Sequence, residues 1–449
     1  MPSQQAIGSY NEIGFWRGWS IAVGCAIGSG VFMMPTLLAP YGLLGLAGWL
    51  IAGAGTLLVA LSLSRLVRRV PKLGGPYAYV RAGLGNFAGF LIAWTYWIAC
   101  IAAVAGIATA FVGYLGVFVP LIAQSAVASL VVSLTLVWTI IGLNIRSVEG
   151  SGSFQVVTTL LKIVPLLVMI VMGFANMQPE LLPPINPTEL HPIALLATVT
   201  TLVMWSFVGI ETATVPADNM AEPDKMIPRI LIASVLTILA IYFLVSLSIA
   251  LVVPAEELLI STAPFTLAAT KIMGPIGGAF ITVGALISTL GSLNANTLTA
   301  GNVPLAAAKD HLLPVRFATL SKSGTPAFSF IVSGLFVSAL LILNYTKGLV
   351  AAFTFMAMLS TLSTLMAYAF SAVAEFYFLK RDDAGAERNR AIGLAIAAFL
   401  YSFFAIWGAG PEIVFYSFML ILMGMPFYAL VRGGGRQNSP KVRRKKKRK

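Results

Sequence analysis

Thr201-Leu202-Val203-Met204-Trp205-Ser206-Phe207-Val208-Gly209-Ile210-Glu211-Thr212-Ala213 reads as the middle of a membrane span, yet it carries a carboxylate, Glu211. Charge at that depth is costly, so its default reading is functional. The first hydrophobic segment has a matching irregularity, Ile27-Gly28-Ser29-Gly30-Val31. Glycine tolerates backbone angles that other residues avoid. Unwound backbone at membrane depth is tolerated only where it is buried in protein or lines a cavity. Two interrupted segments in corresponding halves of a polytopic chain point to a transporter-type binding site.

Composition sets the frame. Of 449 residues, 58% are hydrophobic and 10% charged, against about 25% charged in soluble domains. The chain is therefore expected to be an all-α integral membrane protein. Met1–Glu12 is polar without a basic start and reads as a short tail, not a cleaved signal. Cys25 and Cys100 both lie in apolar segments, which argues against a disulfide framework or a cysteine zinc site. His191 and His311 fall in separate loops, so no metal or other cofactor is expected. The net charge of +13 is concentrated in Arg443–Lys449, after Arg436 and Lys441. Such a run following a last hydrophobic segment marks a cytoplasmic face or touches anionic lipid. Nucleic acid would need a folded basic face, so no nucleic-acid partner is expected.

A span takes about 20 apolar residues. The hydropathy pattern places twelve, at roughly 14–37, 42–66, 84–114, 119–144, 154–176, 193–216, 229–253, 274–305, 327–345, 349–379, 391–409 and 412–431. With the N-terminus inside, Arg65, Arg68, Arg69, Lys72, Arg81, Arg146, Lys225, Arg229, Lys309, Arg316, Lys322, Lys380, Arg381, Arg388 and Arg390 all fall at inside loops. Outside loops carry Glu180, Glu189, Glu256, Glu257 and Glu412, and only Lys162, Lys271 and Lys347 escape the rule. Both termini are thus expected on the cytoplasmic side of an inner (plasma) membrane. Spans one and six start about 180 residues apart and both are interrupted, as in two five-span units related by inversion. The expected division is a tail 1–12, a core 13–379 with repeats at about 13–177 and 193–379, two further helices over 380–432, and a basic tail 433–449.

Particular residues carry the chemistry. A break at Gly28-Ser29-Gly30 would expose N–H groups at the positive end of a half-helix, suited to a carboxylate. Small residues also permit close helix packing, the alternative for this motif. In span six, backbone around Trp205–Gly209 would offer carbonyls to an ammonium group. Trp205 and Phe207 are placed to cover a ligand. Glu211 would pair with a second positive charge or exchange a proton, its alternative being a structural bond to a neighbouring helix. Lys162 stands about nine residues into span five, or ~13 Å deep at 1.5 Å per residue. A buried lysine serves as fixed cation or proton carrier; snorkelling to the headgroups is the alternative.

These motifs resemble the amino acid–polyamine–organocation superfamily. The matches are Gly28-Ser29-Gly30-Val31-Phe32, Gly74-Gly75-Pro76-Tyr77-Ala78-Tyr79, Trp205–Glu211, Glu222-Pro223-Asp224-Lys225-Met226-Ile227-Pro228-Arg229, Leu290-Gly291-Ser292-Leu293, Ala300-Gly301 and Lys309-Asp310. The pattern is most similar to the basic amino acid/polyamine antiporters, which include arginine/agmatine exchangers. The resemblance implies a LeuT-like, five-plus-five inverted fold of twelve transmembrane helices, with helices one and six discontinuous. Its implied substrate set is Ile27, Gly28, Ser29, Gly30, Tyr96, Cys100, Trp205, Phe207, Gly209, Ile210 and Asn296. Tyr77 and Trp205 are the implied gates, and Glu211 and Lys162 the implied proton or cation residues. Asn296 stands where arginine exchangers have a span-eight tryptophan, and Ile101 and Val104 replace their third-span tryptophan and asparagine. Lys162 instead resembles the fifth-span lysine of proton-coupled relatives, where the amine takes the place of a sodium ion.

The resulting expectation is a secondary amino acid transporter, not an enzyme. It would exchange a basic amino acid for its decarboxylated amine by alternating access. Its partners would be a small amino acid or amine and the lipid bilayer, and the resemblance allows a homodimer. The rival within the family is proton-coupled uptake using Lys162. A channel would need rings of carbonyls or charge, and a membrane enzyme would need a nucleophile with its base; neither pattern is evident.

Overall fold

The computed structural model describes residues 14–70, 75–146, 152–210 and 223–435. Glu211 lies outside the described residues, as do both expected tails and Lys72. Among the described residues all regular structure is helical. The cause is the apolar solvent: each backbone N–H and C=O must be satisfied within its own segment, and a helix does this.

The helices run in order α1 (Phe15–Ala26), α2 (Ser29–Leu38), α3 (Gly42–Arg69), α4 (Pro76–Leu84), α5 (Asn86–Leu115), α6 (Pro120–Gln124), α7 (Ala126–Arg146) and α8 (Gly152–Ala175). They continue with α9 (Pro192–Met204), α10 (Pro223–Ala250), α11 (Ala255–Ile260), α12 (Pro264–Lys309), α13 (Ala327–Asn344), α14 (Leu349–Leu379), α15 (Ala386–Gly408) and α16 (Gly410–Gly435). Among the described residues nine stretches are long and apolar enough to cross a membrane. Two more, Leu161–Ala175 and Pro192–Phe207, are apolar but shorter. The protein is thus a multi-pass, all-helical membrane protein.

Several boundaries differ from the hydropathy reading. The segment expected at 119–144 is two helices, because Ser125 is extended and separates short α6 from α7. The segment expected from residue 274 belongs to a longer helical stretch that begins at Pro264 and bends at Gly274, where φ is +71°. Glycine adopts that angle without strain, and the following Pro275 has no N–H to lose.

Burial separates centre from periphery. In α5, 89% of the apolar stretch is buried within the protein, against 17% in α16. The first packs against α12 and α14 at the middle of the bundle; the second presents its apolar side chains outward.

The ends of the helices carry ion pairs sorted by face. At the lysine- and arginine-rich face, Glu375 of α14 is fully buried and accepts hydrogen bonds from Ser62 and Arg65 of α3. One turn on, Arg69 pairs with Asp382. Arg69 holds the Asp382 carboxyl below the usual carboxylate range, chiefly through its hydrogen bonds. That tie is complete above the ordinary carboxylate pKa and is lost as pH falls through the lowered value. At the opposite face, Lys271 and Lys347, two of the three exceptions to the charge rule, pair with Glu257 at 2.6 Å and Glu412 at 3.9 Å.

Glu375 was not singled out from the sequence, although it falls within the span expected at 349–379. Removing one partner of a buried pair costs about 3–5 kcal/mol, because the other charge is stranded. Glu375→Ala should therefore lower the thermal unfolding temperature of the purified protein clearly. Glu387→Ala, at an exposed position, should not. Equal melting temperatures for both variants would show that the buried pair contributes nothing.

Candidate functional site at the two helix breaks

The first break lies between α1 and α2. The Ile27 N–H still bonds to the Val23 carbonyl at 2.9 Å. Ile27 (φ −73°, ψ 102°) and Gly28 (φ −147°, ψ −147°) then leave the helix, and α2 resumes at Ser29. This exposes the last carbonyls of α1 and the first N–H groups of α2.

Side chains from three other helices reach the carbonyl end. Lys162 Nζ of α8 donates to Gly24 O at 2.9 Å. Tyr242 of α10 donates to Ala26 O at 3.0 Å. Ser288 and Ser292 of α12 donate to Ile27 O, each at 3.4 Å. An ammonium complements the partial negative charge of a helix C-terminus. Lys162 is 3% exposed, so its amine is seated within the protein and does not reach for the headgroups. The lysine stem runs past Gly291, where a Cβ would be in ordinary contact with it, 3.4 Å from Cε and 3.5 Å from Nζ.

The N–H end of α2 is different. Gly28 provides no side-chain cap. A Cβ on Gly30 would lie 2.6 Å from Ser206 Oγ and 2.9 Å from Ser206 Cα. The glycine is thus what lets α2 approach the second break.

That second break follows α9. Trp205–Phe207 tightens into one 3₁₀ turn, Val208 is extended, and Gly209 has φ +102°. Trp205 is 6% and Ser206 1% exposed, yet Trp205 Nε1 and Ser206 Oγ have no hydrogen-bond partner among the described residues. A buried polar group without a partner is costly, and nearly all are paired. Two such groups at a helix break call for an acceptor that is not among the described residues. The Trp205 ring meets Phe353 of α14 edge-on at 6.1 Å.

The structure thus brings Ile27, Gly28, Ser29 and Gly30 together with Trp205, and Lys162 to the rear of the same break. Other expected residues have other surroundings. Phe207 packs against Trp49 and Tyr242, at 6.1 and 6.2 Å between ring centres. Asn296 is half-buried and donates to Ser292 O of its own helix at 3.0 Å. On α5, Tyr96 is half-buried and Cys100 is buried. Ile210 is buried beside the glycine. Tyr77 sits at the basic face on α4, donating to Asp310 at 3.4 Å, beside the Arg81–Asp310 pair at 2.7 Å. Burial raises its phenol well above the ordinary value, which keeps it a donor.

Sequence reading did not single out Tyr242 or Ser288, and Ser292 entered only within the motif Leu290-Gly291-Ser292-Leu293. The serines are four apart and so share one face of α12, a spacing that was visible. Nothing in the sequence alone marked Tyr242.

On the side away from the basic face, the break is covered. Tyr114 donates to Phe32 O at 2.7 Å, and the Phe32 ring lies 4.9 Å from Phe265. Thr36 donates to Ser261 O at 2.8 Å. These contacts hold α2 against α5 and the start of α12.

Comparison with known proteins agrees with this architecture. The family described as amino acid permease matches residues 13–430. An arginine/ornithine antiporter of Latilactobacillus sakei is 29% identical, covering 94% of this chain and 90% of its own length. An L-lysine transport protein of Corynebacterium glutamicum is 28% identical, over 92% and 87% respectively. A putrescine transporter of Escherichia coli is 24% identical, over 90% and 92%. A match that runs through nearly every helix, and through both breaks, is one of whole chains, and this chain belongs to the amino acid permease family of the amino acid–polyamine–organocation superfamily.

Proposed function

We propose that the protein is a secondary antiporter of the inner membrane that exchanges a basic amino acid for a second cationic amino acid or amine. The observation that carries this reading is the uncapped start of α2 near Trp205 Nε1 and Ser206 Oγ, two buried groups without a hydrogen-bond partner among the described residues. Together they form a donor-rich pocket for a carboxylate. The N–H groups of Ser29 and Gly30 hold the α-carboxylate. Backbone carbonyls that follow the Trp205–Phe207 turn take the α-ammonium. Trp205 is the gate, and Tyr77 with Asp310 and Arg81 closes the cytoplasmic side. Both termini are cytoplasmic, and the chain divides into two inverted five-helix units followed by two further helices. The relatives that act on arginine, ornithine, lysine and putrescine support a cationic substrate.

Proteoliposomes test the exchange. Vesicles loaded with unlabelled ornithine or putrescine should take up labelled arginine, and empty vesicles should not. Uptake that ignores the internal solute would defeat the antiport reading. A second reading is favoured by one observation, the buried contact of Lys162 with Gly24 O. In that reading Lys162 carries a proton in symport, and an inward acid gradient alone would drive uptake into empty vesicles.

Glu211 is the proposed partner of the second positive charge. A hydrogen bond to a charged group is worth about 1.5–3 kcal/mol, or about 10- to 100-fold in affinity. Glu211→Gln should weaken binding of putrescine by that factor, read from competition with labelled arginine. Unchanged inhibition constants at every pH would remove Glu211 from substrate recognition.

A further inference from the structure

We propose that the ends of α3, α14 and α15 at the basic face form a binding site for a phosphate-bearing anion, the headgroup of an acidic phospholipid in the adjoining leaflet. Arg65 and Arg69 pair with the carboxylates of Glu375 and Asp382, and a third guanidinium group, Arg388, joins them through the Asp382 backbone. The carboxylate oxygens are already engaged. Glu375 receives Ser62 and Arg65 Nε, and Asp382 receives Arg69 in a two-pronged contact. The Asp382 backbone carbonyl accepts Arg388 Nη1 at 3.3 Å.

Two donors remain over. Arg65 Nη2 and Arg388 Nε are shielded from solvent and have no acceptor among the described residues. Leaving donors of charged groups unpaired is unfavourable, and the cluster holds one more positive charge than negative. An oxyanion supplies the acceptor oxygens and the negative charge that such a cluster lacks, as arginine and phosphate geometries match. Helix α15 adds to the pull. It begins at Ala386 with no side-chain cap, and Arg388 lies in its first turn.

The place of the cluster favours a lipid as the source. It lies where α14 and α15 end at the basic face. Lys380 and Arg381, exposed just beyond α14, lie over the rings of Phe376 and Tyr377 at 5.5 and 4.2 Å. Stems laid along apolar surface with charges at the rim are the arrangement expected at headgroup level. Asp383 and Glu387 are the acidic neighbours. Including them, the ends of these helices carry seven positive residues (65, 68, 69, 380, 381, 388, 390) against four negative (375, 382, 383, 387). Basic pockets between transmembrane helices on the cytoplasmic side bind such headgroups.

The test uses the full-length protein in neutral detergent, titrated separately with phosphatidylglycerol, phosphatidylcholine and inorganic phosphate. Thermal unfolding gives apparent affinity, and native mass spectrometry counts retained lipid. Phosphatidylglycerol should stabilise saturably and phosphatidylcholine should not. Arg388→Ala should weaken phosphatidylglycerol binding about 10-fold, and Arg388→Lys should retain part of it. Lys322→Ala, on another loop of the same face, should have no effect. Saturable stabilisation by inorganic phosphate that Arg388→Ala removes would support the anion site and identify a soluble occupant. Equal effects of the two lipids, with no effect of phosphate, would overturn the proposal. So would wild-type phosphatidylglycerol binding in a folded Arg388→Ala protein.

Discussion

Lys162→Ala is expected to slow transport strongly while leaving a protein that can be purified. The amine donates to Gly24 O from a fully protein-enclosed position. Its loss removes a charged hydrogen bond worth about 1.5–3 kcal/mol and the cation that complements the exposed end of α1. Tyr242, Ser288 and Ser292 would still serve Ala26 O and Ile27 O, so folding should survive. The end of α1 would nonetheless be less firmly placed beside the substrate. A fall of about 10- to 100-fold in exchange rate is the expected scale. The measurement is arginine exchange in proteoliposomes across a pH series. It also separates the two transport readings. If Lys162 is only a fixed cation, Lys162→Ala lowers exchange equally at all pH values; if it carries the proton, the pH dependence itself disappears. Exchange at the wild-type rate would remove the residue from the mechanism.

Gly30→Ala is expected to be nearly as damaging, for a steric reason. The added Cβ would stand 2.9 Å from Ser206 Cα, a backbone atom that cannot rotate away. Overpacking of this kind costs about 1–3 kcal/mol, and here it separates α2 from the turn at Trp205. The two halves of the proposed carboxylate pocket would then be out of register. Arginine affinity, measured by ligand-induced thermal stabilisation, should fall about 10-fold. Gly393→Ala is the control, because nothing lies within 4 Å of a Cβ there. Ser206→Gly in the Gly30→Ala background should restore only part of the binding, since the clash with the Cα remains. Wild-type affinity in Gly30→Ala would show that the breaks do not share a ligand.

Much of this site was legible before any coordinates. The Gly28-Ser29-Gly30 stretch pointed to the first break, because two glycines and a serine interrupt an apolar run where either unwinding or close helix packing is served. Trp205–Gly209 announced the second on the same ground. Lys162 was conspicuous as a cation in a segment that lipid would not tolerate. The paired lysines at positions 271 and 347 show the limit of charge counting. Each has its own acidic neighbour at the outer face, a compensation that the loop tally could not see.

Sequence by itself determined that this is a helical membrane protein with two weak points in its spans, because apolar solvent leaves the backbone few choices and irregular residues stand out against it. Tertiary structure alone decided which groups complete those weak points. Tyr242 and Ser292 lie far along the chain from Ala26 and Ile27, and Glu375 is 310 residues from Arg65. Such contacts depend on how helices pack across the bundle, and packing follows from the fit of whole surfaces, which no local pattern of residues encodes.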